Sequence, residues 1–227
     1  DVKASRGLGD VYKRQVPNCA ETVISMLAVS SLGGVWTSCS PDFGANGVVD
    51  RFGQVNPHIL ITSNGYSYNG KLFKLEEKVN GVLESIDSIR HIVEIEYVDI
   101  KSNFNHDSII SFGDILNGEQ TQPKFEQLPF DHPLFIMYSS GTTGPPKSIV
   151  HSAGGTLIQH MKEHQLHCDI KAGKSTLFWF TTCGWMMWNW LVSGLSSGST
   201  IVLYDGSPSY PSLERLWKMI DDFNITH

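Results

Sequence analysis

The sequence of 227 residues is poor in cysteine, in clustered positive charge and in long apolar runs. Its four cysteines, Cys19, Cys39, Cys168 and Cys183, stand far apart, with neither a C-x-x-C pair nor the dense spacing of a disulfide-stapled scaffold. They read as reduced, buried thiols of a cytosolic protein. Net charge is −6 and no lysine or arginine run occurs outside the N-terminus, so neither nucleic acid nor an anionic membrane is expected as a partner. The most apolar window, Leu177 to Val192, is interrupted by Thr181, Thr182, Cys183, Gly184 and Asn189 and falls short of the ~20 apolar residues of a spanning helix. No segment has the charged, apolar, small-residue order of a secretory signal. What is present is a 41% hydrophobic content, sufficient for a substantial buried core.

Residues 1–15, DVKASRGLGDVYKRQ, show no period and read as a tail, foreign to the domain or disordered; the texture changes at Val16. Asn18 is expected to cap a helix with Glu21 in capping-box spacing. Val23, Ile24, Leu27, Ala28 and Leu32 form its apolar stripe, and Gly33 and Gly34 end it. VWTS and HILITS read as strands around a glycine-diluted helix, VVDRFGQV. Lys71–Val82 reads as helix, Ile89–Val98 as strand, and 100–131 as a polar surface excursion with at most one helical turn.

Beyond it, LFIMY is a buried strand, SIVH resumes β character, Gly155–Leu166 is helical and TLFWFTT is a strand. Trp185–Leu195 reads as a buried helix and TIVLYD as a strand. A last helix after Pro211 would present Leu213, Leu216, Trp217 and Ile220 on one face. Apolar strands alternating with helices predict an α/β fold, with parallel-sheet layers and flanking helices.

The stretch MYSSGTTGPPKSIVH, Met137 to His151, carries the chemistry. It is not a Walker A loop, because Pro146 stands where G-x-x-x-x-G-K-[ST] needs its second glycine, and proline offers no N–H to wrap a phosphate. Ser148, Ile149 and Val150 are also poor openers of the helix that such a loop exploits. What remains is a cluster of hydroxyls on Ser139, Ser140, Thr142 and Thr143, two permissive bends at Gly141 and Gly144, and a stiff Pro145-Pro146 step that delivers Lys147. Hydroxyls and backbone N–H groups suit polyphosphate oxygens. One ammonium about 4 Å from a phosphate charge contributes ~4 kcal/mol at an effective dielectric of about 20, before desolvation.

YSSGTTGPPK resembles the phosphate-binding signature of the adenylate-forming enzymes, the group of acyl-CoA synthetases, luciferases and peptide-synthetase adenylation domains. GVWTSCSPDFG, VDRFGQVNPHIL, FTTCGWMMWNWLVSGL and TIVLYDGSP extend the likeness from about Val16 to His227. The resemblance implies that 16–227 is a partial AMP-binding (adenylation) N-terminal domain, truncated at both ends. It further implies ATP, Mg²⁺ and coenzyme A as cofactors and acetoacetate as the acid, with acetate or another short acid, or a non-catalytic nucleotide-binding module, as alternatives. Ser139, Ser140, Gly141, Thr142, Thr143, Gly144 and Lys147 would cradle the polyphosphate while a carboxylate attacks the α-phosphorus; the thiol of coenzyme A then displaces AMP. The glycine usual after that lysine is Ser148 here, which alters the backbone freedom of the loop. The adenine-binding segment, the Mg²⁺-holding acid, the ribose-binding aspartate and the adenylation lysine are expected beyond His227, so no catalytic residue is named and the chain alone is not expected to turn over. The resemblance leaves the oligomeric state open.

Cys183–Trp190, CGWMMWNW, occupies the place where these synthetases build part of the acyl pocket. Trp185, Met186, Met187 and Trp188 are the substrate-binding candidates, with Asn189 or an indole N–H able to meet a ketone oxygen. The alternative is an aromatic helix packed under the sheet. His160, His164 and His167 share one helix face, but no carboxylate or cysteine reinforces them as metal ligands, so a solvated or partly packed face is expected and no metal site. His151 would contact nucleotide or sit in the strand after the loop. Asp42 reads as a helix cap, and Glu76 and Glu77 as solvated charge.

Overall fold

The computed structural model describes residues 11–118, 122–139 and 144–227. Its strands are β1 (Val11–Gln15), β2 (Val35–Cys39), β3 (Ile59–Ser63), β4 (Gly65–Tyr68), β5 (Lys71–Lys74), β6 (His91–Ile95), β7 (Ile109–Ser111), β8 (Pro133–Tyr138), β9 (Ser148–Ser152), β10 (Thr176–Phe178) and β11 (Thr200–Val202). The helices are α1 (Ala20–Ser31), α2 (Ala45–Phe52), α3 (Glu76–Ser85), α4 (Phe112–Leu116), α5 (Ala153–Lys162), α6 (Met186–Ser193) and α7 (Arg215–Asp222). Seven strands form one sheet in the order β7-β6-β3-β1-β2-β8-β9, parallel throughout except for the antiparallel pair β8–β9. Strands β10 and β11 form a separate parallel pair, with α6 as the crossover between them.

The period of two within each strand divides the core between the two faces of the sheet. Trp36, Ile61, Ile95 and Phe135 pack on one face with Val23, Met26 and Val29 of α1 and Trp188 and Val192 of α6. Cys39, Leu60 and Ile92 pack on the other with Val48 and Phe52 of α2 and Val79 and Val82 of α3. Helices thus cover both faces of a mostly parallel sheet, the α/β class that the apolar strands predict. The chain steps from β1 to β2 on one side and then crosses to β3 on the other, so the strand order reverses around β1. Open α/β sheets bind ligands at the carboxyl ends of strands near such a reversal, and the loop after β8 leaves from that end.

Several expectations are corrected. Val11–Gln15 is a sheet strand between β2 and β3, so the last third of the expected tail belongs to the fold. Its charged Lys13 and Arg14 hide it from apolar periodicity. Asn18 does not cap α1, whose N-cap is Cys19. The Asn18 side chain instead donates to the carbonyls of Thr181 (3.5 Å) and Tyr204 (3.3 Å) and accepts from Trp188 Nε1 at 2.9 Å. The buried face of α1 is Thr22, Val23, Ser25, Met26 and Val29, while Ile24, Leu27 and Leu32 are exposed. The helix ends as expected: Gly33, at φ +78, donates to Ser30 O and Gly34 to Val29 O, the reciprocal pattern of a Schellman cap.

Lys71–Lys74 is not helical but pairs with β4 across Asn69-Gly70, both at positive φ, and α3 begins only at Glu76. An Asn-Gly pair between strands is a strong hairpin signal that outweighs the helical reading. The N-cap of α2 is Gly44 rather than Asp42. The excursion 100–131 contributes the edge strand β7 as well as the short helix α4. In the last helix Met219 is the buried residue and Leu213, Trp217 and Ile220 are exposed.

Candidate functional site

Strands β8 and β9 run antiparallel with Tyr138 opposite Ser148 and Ile136 opposite Val150, so the phosphate-type loop closes a hairpin. Ser139 and Lys147 clasp its base twice. The Ser139 N–H donates to Lys147 O at 3.0 Å, and the Lys147 N–H donates to Ser139 Oγ at 2.9 Å. A strand, not a helix, begins at Ser148, which removes the Walker geometry on structural grounds.

Gln54, just past α2, braces the outgoing limb from across the sheet edge. Its Nε2 donates to Pro146 O at 2.7 Å and its Oε1 accepts from Ser148 Oγ at 2.8 Å. Lys147 therefore sits between two residues held by one amide, with its own side chain exposed and in no ion pair among the described residues. Ser148, which stands where the resemblance implies a glycine, supplies one of these tethers. Gly144 is exposed at φ +150, a conformation that residues with side chains rarely adopt. Of the seven predicted cradle residues the structure places Ser139, Gly144 and Lys147 on this loop; Ser140, Gly141, Thr142 and Thr143 lie outside the described residues.

A cavity of about 730 Å³ begins a few residues further along β9. Phe135 and Met137 of β8, Val150 and His151 of β9, and Gln159 and His160 of α5 form one side. Met186, Met187, Asn189 and Trp190 of α6 form the other, with Trp179 beside them. The helical period of α6 explains which predicted pocket residues reach it. Met186 and Trp190 lie four apart and Met187 and Trp190 three apart, on the cavity side, whereas Trp188, Leu191 and Val192 face the core. Trp188 is fully buried, stacked on Trp36 with ring centroids 6.2 Å apart. Trp185 is 62% exposed at the helix N-cap and is not part of the wall. Asn189 is buried, and among the described residues its Nδ2 has only the Met137 sulfur, 4.0 Å away, as a weak acceptor.

The histidine face is not uniformly solvated. His160 and His164 are buried and His167 is exposed. His164 Nε2 lies 3.0 Å from Trp190 O and 2.9 Å from Ser193 Oγ, and its ring leans on Trp190. Since a carbonyl only accepts, that nitrogen carries the proton. Burial lowers the pKa of His151 and of His164, and it lowers His160 to about 4 with smaller contributions from His164 and His151. These rings are neutral at pH 7. Among the described residues no group of three or more His, Cys, Asp or Glu is placed to hold a metal ion. Among the described residues no helix is long and apolar enough to cross a membrane.

Gln54 was beyond sequence reasoning, because it meets Pro146 across 92 residues of chain. His160 was visible only as one of three histidines spaced four and then three residues apart.

This chain is similar to known proteins. The acetoacetyl-coenzyme A synthetase of Rhizobium meliloti (strain 1021) is 51% identical over 206 residues, covering 90% of this chain and 32% of that protein. The malonamoyl-CoA synthetase of Penicillium aethiopicum is 43% identical over 229 residues, covering 93% of this chain and 32% of its own. The structure of acetoacetyl-CoA synthetase from Streptomyces lividans superposes with a TM-score of 0.91 at 44% identity, covering 96% of this chain and 33% of that one. The chain thus spans about a third of the length of the relatives it matches. The family model described as AMP-binding enzyme matches residues 9–227, so this chain belongs to the AMP-binding enzyme family.

Proposed function

We propose that the protein carrying this chain is an acid–thiol ligase that joins acetoacetate to coenzyme A at the expense of ATP, in the cytosol. The carrying observation is the clasped hairpin of Ser139 and Lys147, which holds an exposed ammonium next to the strand that walls the cavity. A carboxylate oxygen of the acid attacks the α-phosphorus of ATP, the bond to the bridging oxygen breaks, and pyrophosphate leaves with that electron pair. The thiolate of coenzyme A then attacks the acyl carbon and AMP departs. An ionised acid needs no general base for the first step, so the task of the protein is to position charge and stabilise it.

The residues fit a polyphosphate. Lys147 offers a positive charge whose backbone is fixed on both sides by Gln54, and the Ser139 hydroxyl, already accepting from the Lys147 N–H, still has its own proton to donate. Mg²⁺ would be held by the nucleotide phosphates, whose charge it would neutralise, since among the described residues no group of three or more His, Cys, Asp or Glu is placed to hold it. Met186, Met187 and Asn189 remain the acid-site candidates; Trp185 and Trp188 are set aside for the acid because the first is not among the residues lining the cavity and the second lies in the core. The four cysteines form no disulfide among the described residues, which agrees with a reducing compartment.

The test is acid-dependent exchange of labelled pyrophosphate into ATP by the full-length protein carrying this sequence. Acetoacetate is expected to support exchange well above acetate or butyrate. Preference for acetate would overturn the choice of acid, and no exchange with any short acid would overturn the activity.

A further inference from the structure

Two of the cavity's buried polar side chains have hydrogen-bonding capacity left over. Asn189 has been described. The other is His160, which is 8% exposed and lies on the cavity wall; its Nδ1 is buried with no hydrogen-bond partner among the described residues, so a ligand in the cavity would be met by the other ring nitrogen, Nε2. Leaving such a group unmet costs roughly 1–3 kcal/mol, so native proteins seldom retain one without a use. Core packing is a weak account of this histidine. Its helical neighbour His164 is the one that bonds to α6, through Trp190 O and Ser193 Oγ, and it lies at a stretch (Glu163–His167) where α5 passes into a π-helical turn. Such turns are frequent at functional sites. His164 Nδ1 also lacks a partner, but His164 is fully buried and does not form part of the cavity wall.

The rest of the wall mixes apolar and aromatic side chains, Met137, Met186, Met187, Trp179 and Trp190, with the polar Ser152, Thr156, Gln159 and Glu163. The cavity, about 730 Å³, is several times larger than a four-carbon acid, so apolar contact alone would not fix where a small acid lies. Acetoacetyl and malonamoyl, the acyl groups in the relatives' names, share one feature beyond the activated carboxyl, a carbonyl oxygen on carbon 3. A neutral imidazole carries one N–H, the donor that such an oxygen needs.

We propose that His160 is a specificity-determining residue that donates a hydrogen bond to the 3-oxygen of a 3-oxo acid, selecting acetoacetate-like acids over their saturated counterparts. The inference rests on the reading of the cavity as the acid site. Burial keeps the ring neutral at working pH, so Nε2 donates in one tautomer and accepts in the other, for example from the amide of a malonamoyl-type acid. A site built around a substrate oxygen rejects an analogue lacking it more strongly than an apolar pocket rejects one extra group.

The experiment measures kcat and KM for acetoacetate and for butyrate in the full-length protein, wild type, His160→Leu and His160→Gln, with melting temperatures as the folding control. The wild-type arm tests the acid-site reading by itself: acetoacetate should exceed butyrate in kcat/KM. In His160→Leu the ratio of the two kcat/KM values should fall about 10- to 100-fold, chiefly through the KM for acetoacetate. His160→Gln, which keeps a donor, should restore part of the ratio. An equal loss for both acids, or an unchanged ratio in a folded His160→Leu protein, would overturn the role of His160 while leaving the wild-type preference intact. If His160→Leu does not fold, the ratio in His160→Gln against His160→Asn decides the question, an unchanged ratio in both again overturning the role. A wild-type protein indifferent to the 3-oxo group would overturn both readings.

Discussion

The backbone of Lys147 is tied to Ser139 by two hydrogen bonds that run in opposite directions, one from each N–H, 3.0 and 2.9 Å long. One of them ends on a side-chain hydroxyl, so a single atom change can loosen the base of the loop without touching the lysine. Ser139→Ala is expected to raise the KM for ATP about 3- to 10-fold, the loss of one neutral hydrogen bond. The melting temperature should hardly move, because the bond is exposed. Paired ATP kinetics and thermal melts check this.

Gln54 acts on the same lysine from the other side, through Pro146 O and Ser148 Oγ. Gln54→Ala should weaken ATP more than AMP. A double-mutant cycle with Ser148→Ala should give a coupling of about 1 kcal/mol in ATP binding, since the two residues share one bond. Additive effects of the two substitutions would show that this bond does not hold the loop.

Trp188 separates core from cavity in the CGWMMWNW segment. It is fully buried on Trp36 and donates to Asn18 Oδ1 at 2.9 Å. Trp188→Ala should destabilise by about 3–5 kcal/mol. Trp188→Phe should cost about 1–3 kcal/mol, by leaving the buried Asn18 oxygen without that donor. Chemical denaturation measures both.

Much of this was legible in the residues, and the exceptions share a cause. Buried parallel strands and the Gly33–Gly34 stop carry local signals, and the hairpin loop has an order of residues that resembles little else. The helix faces were less legible. In α1, Ile24 and Leu27 are as apolar as Val23 and Met26, and only the position of the sheet decides which pair is buried. In α6 the adjacent residues Met187 and Trp188 part by about 100° around the axis, one to the cavity and one to the core. Gln54 illustrates the third limit: its partners are close only after β2 and β8 pair. The hairpin β4–β5 was missed for a different reason, a helical pattern in Lys71–Val82 set against an Asn-Gly turn that is decisive once its two flanking strands are seen.

The buried histidines set an acid limit on stability. His160 has a folded pKa of about 4 against an ordinary value of 6.5, so between those values the unfolded chain binds a proton that the folded one refuses. Stability should therefore fall as pH drops from about 6.5 towards about 4, by roughly 3 kcal/mol at most from this residue, and should be insensitive to it above that window. His164 and His151 are shifted in the same direction and add to the loss. Asp205, whose pKa is raised by burial, works with the opposite sign: it favours the fold at low pH and withdraws that support as pH rises above its ordinary value of 3.8. Denaturation of wild type and His160→Gln at pH 7 and pH 5 should show a smaller acid loss in the variant.

The grip of the hairpin loop on the tail of ATP is tested most directly by calorimetric titration of ATP and of AMP into full-length wild type and Lys147→Ala. ATP affinity should drop about tenfold or more in the variant while AMP affinity stays within about twofold, since only ATP carries the phosphates that Lys147 would meet. Equal ATP affinity in the two proteins would contradict the account.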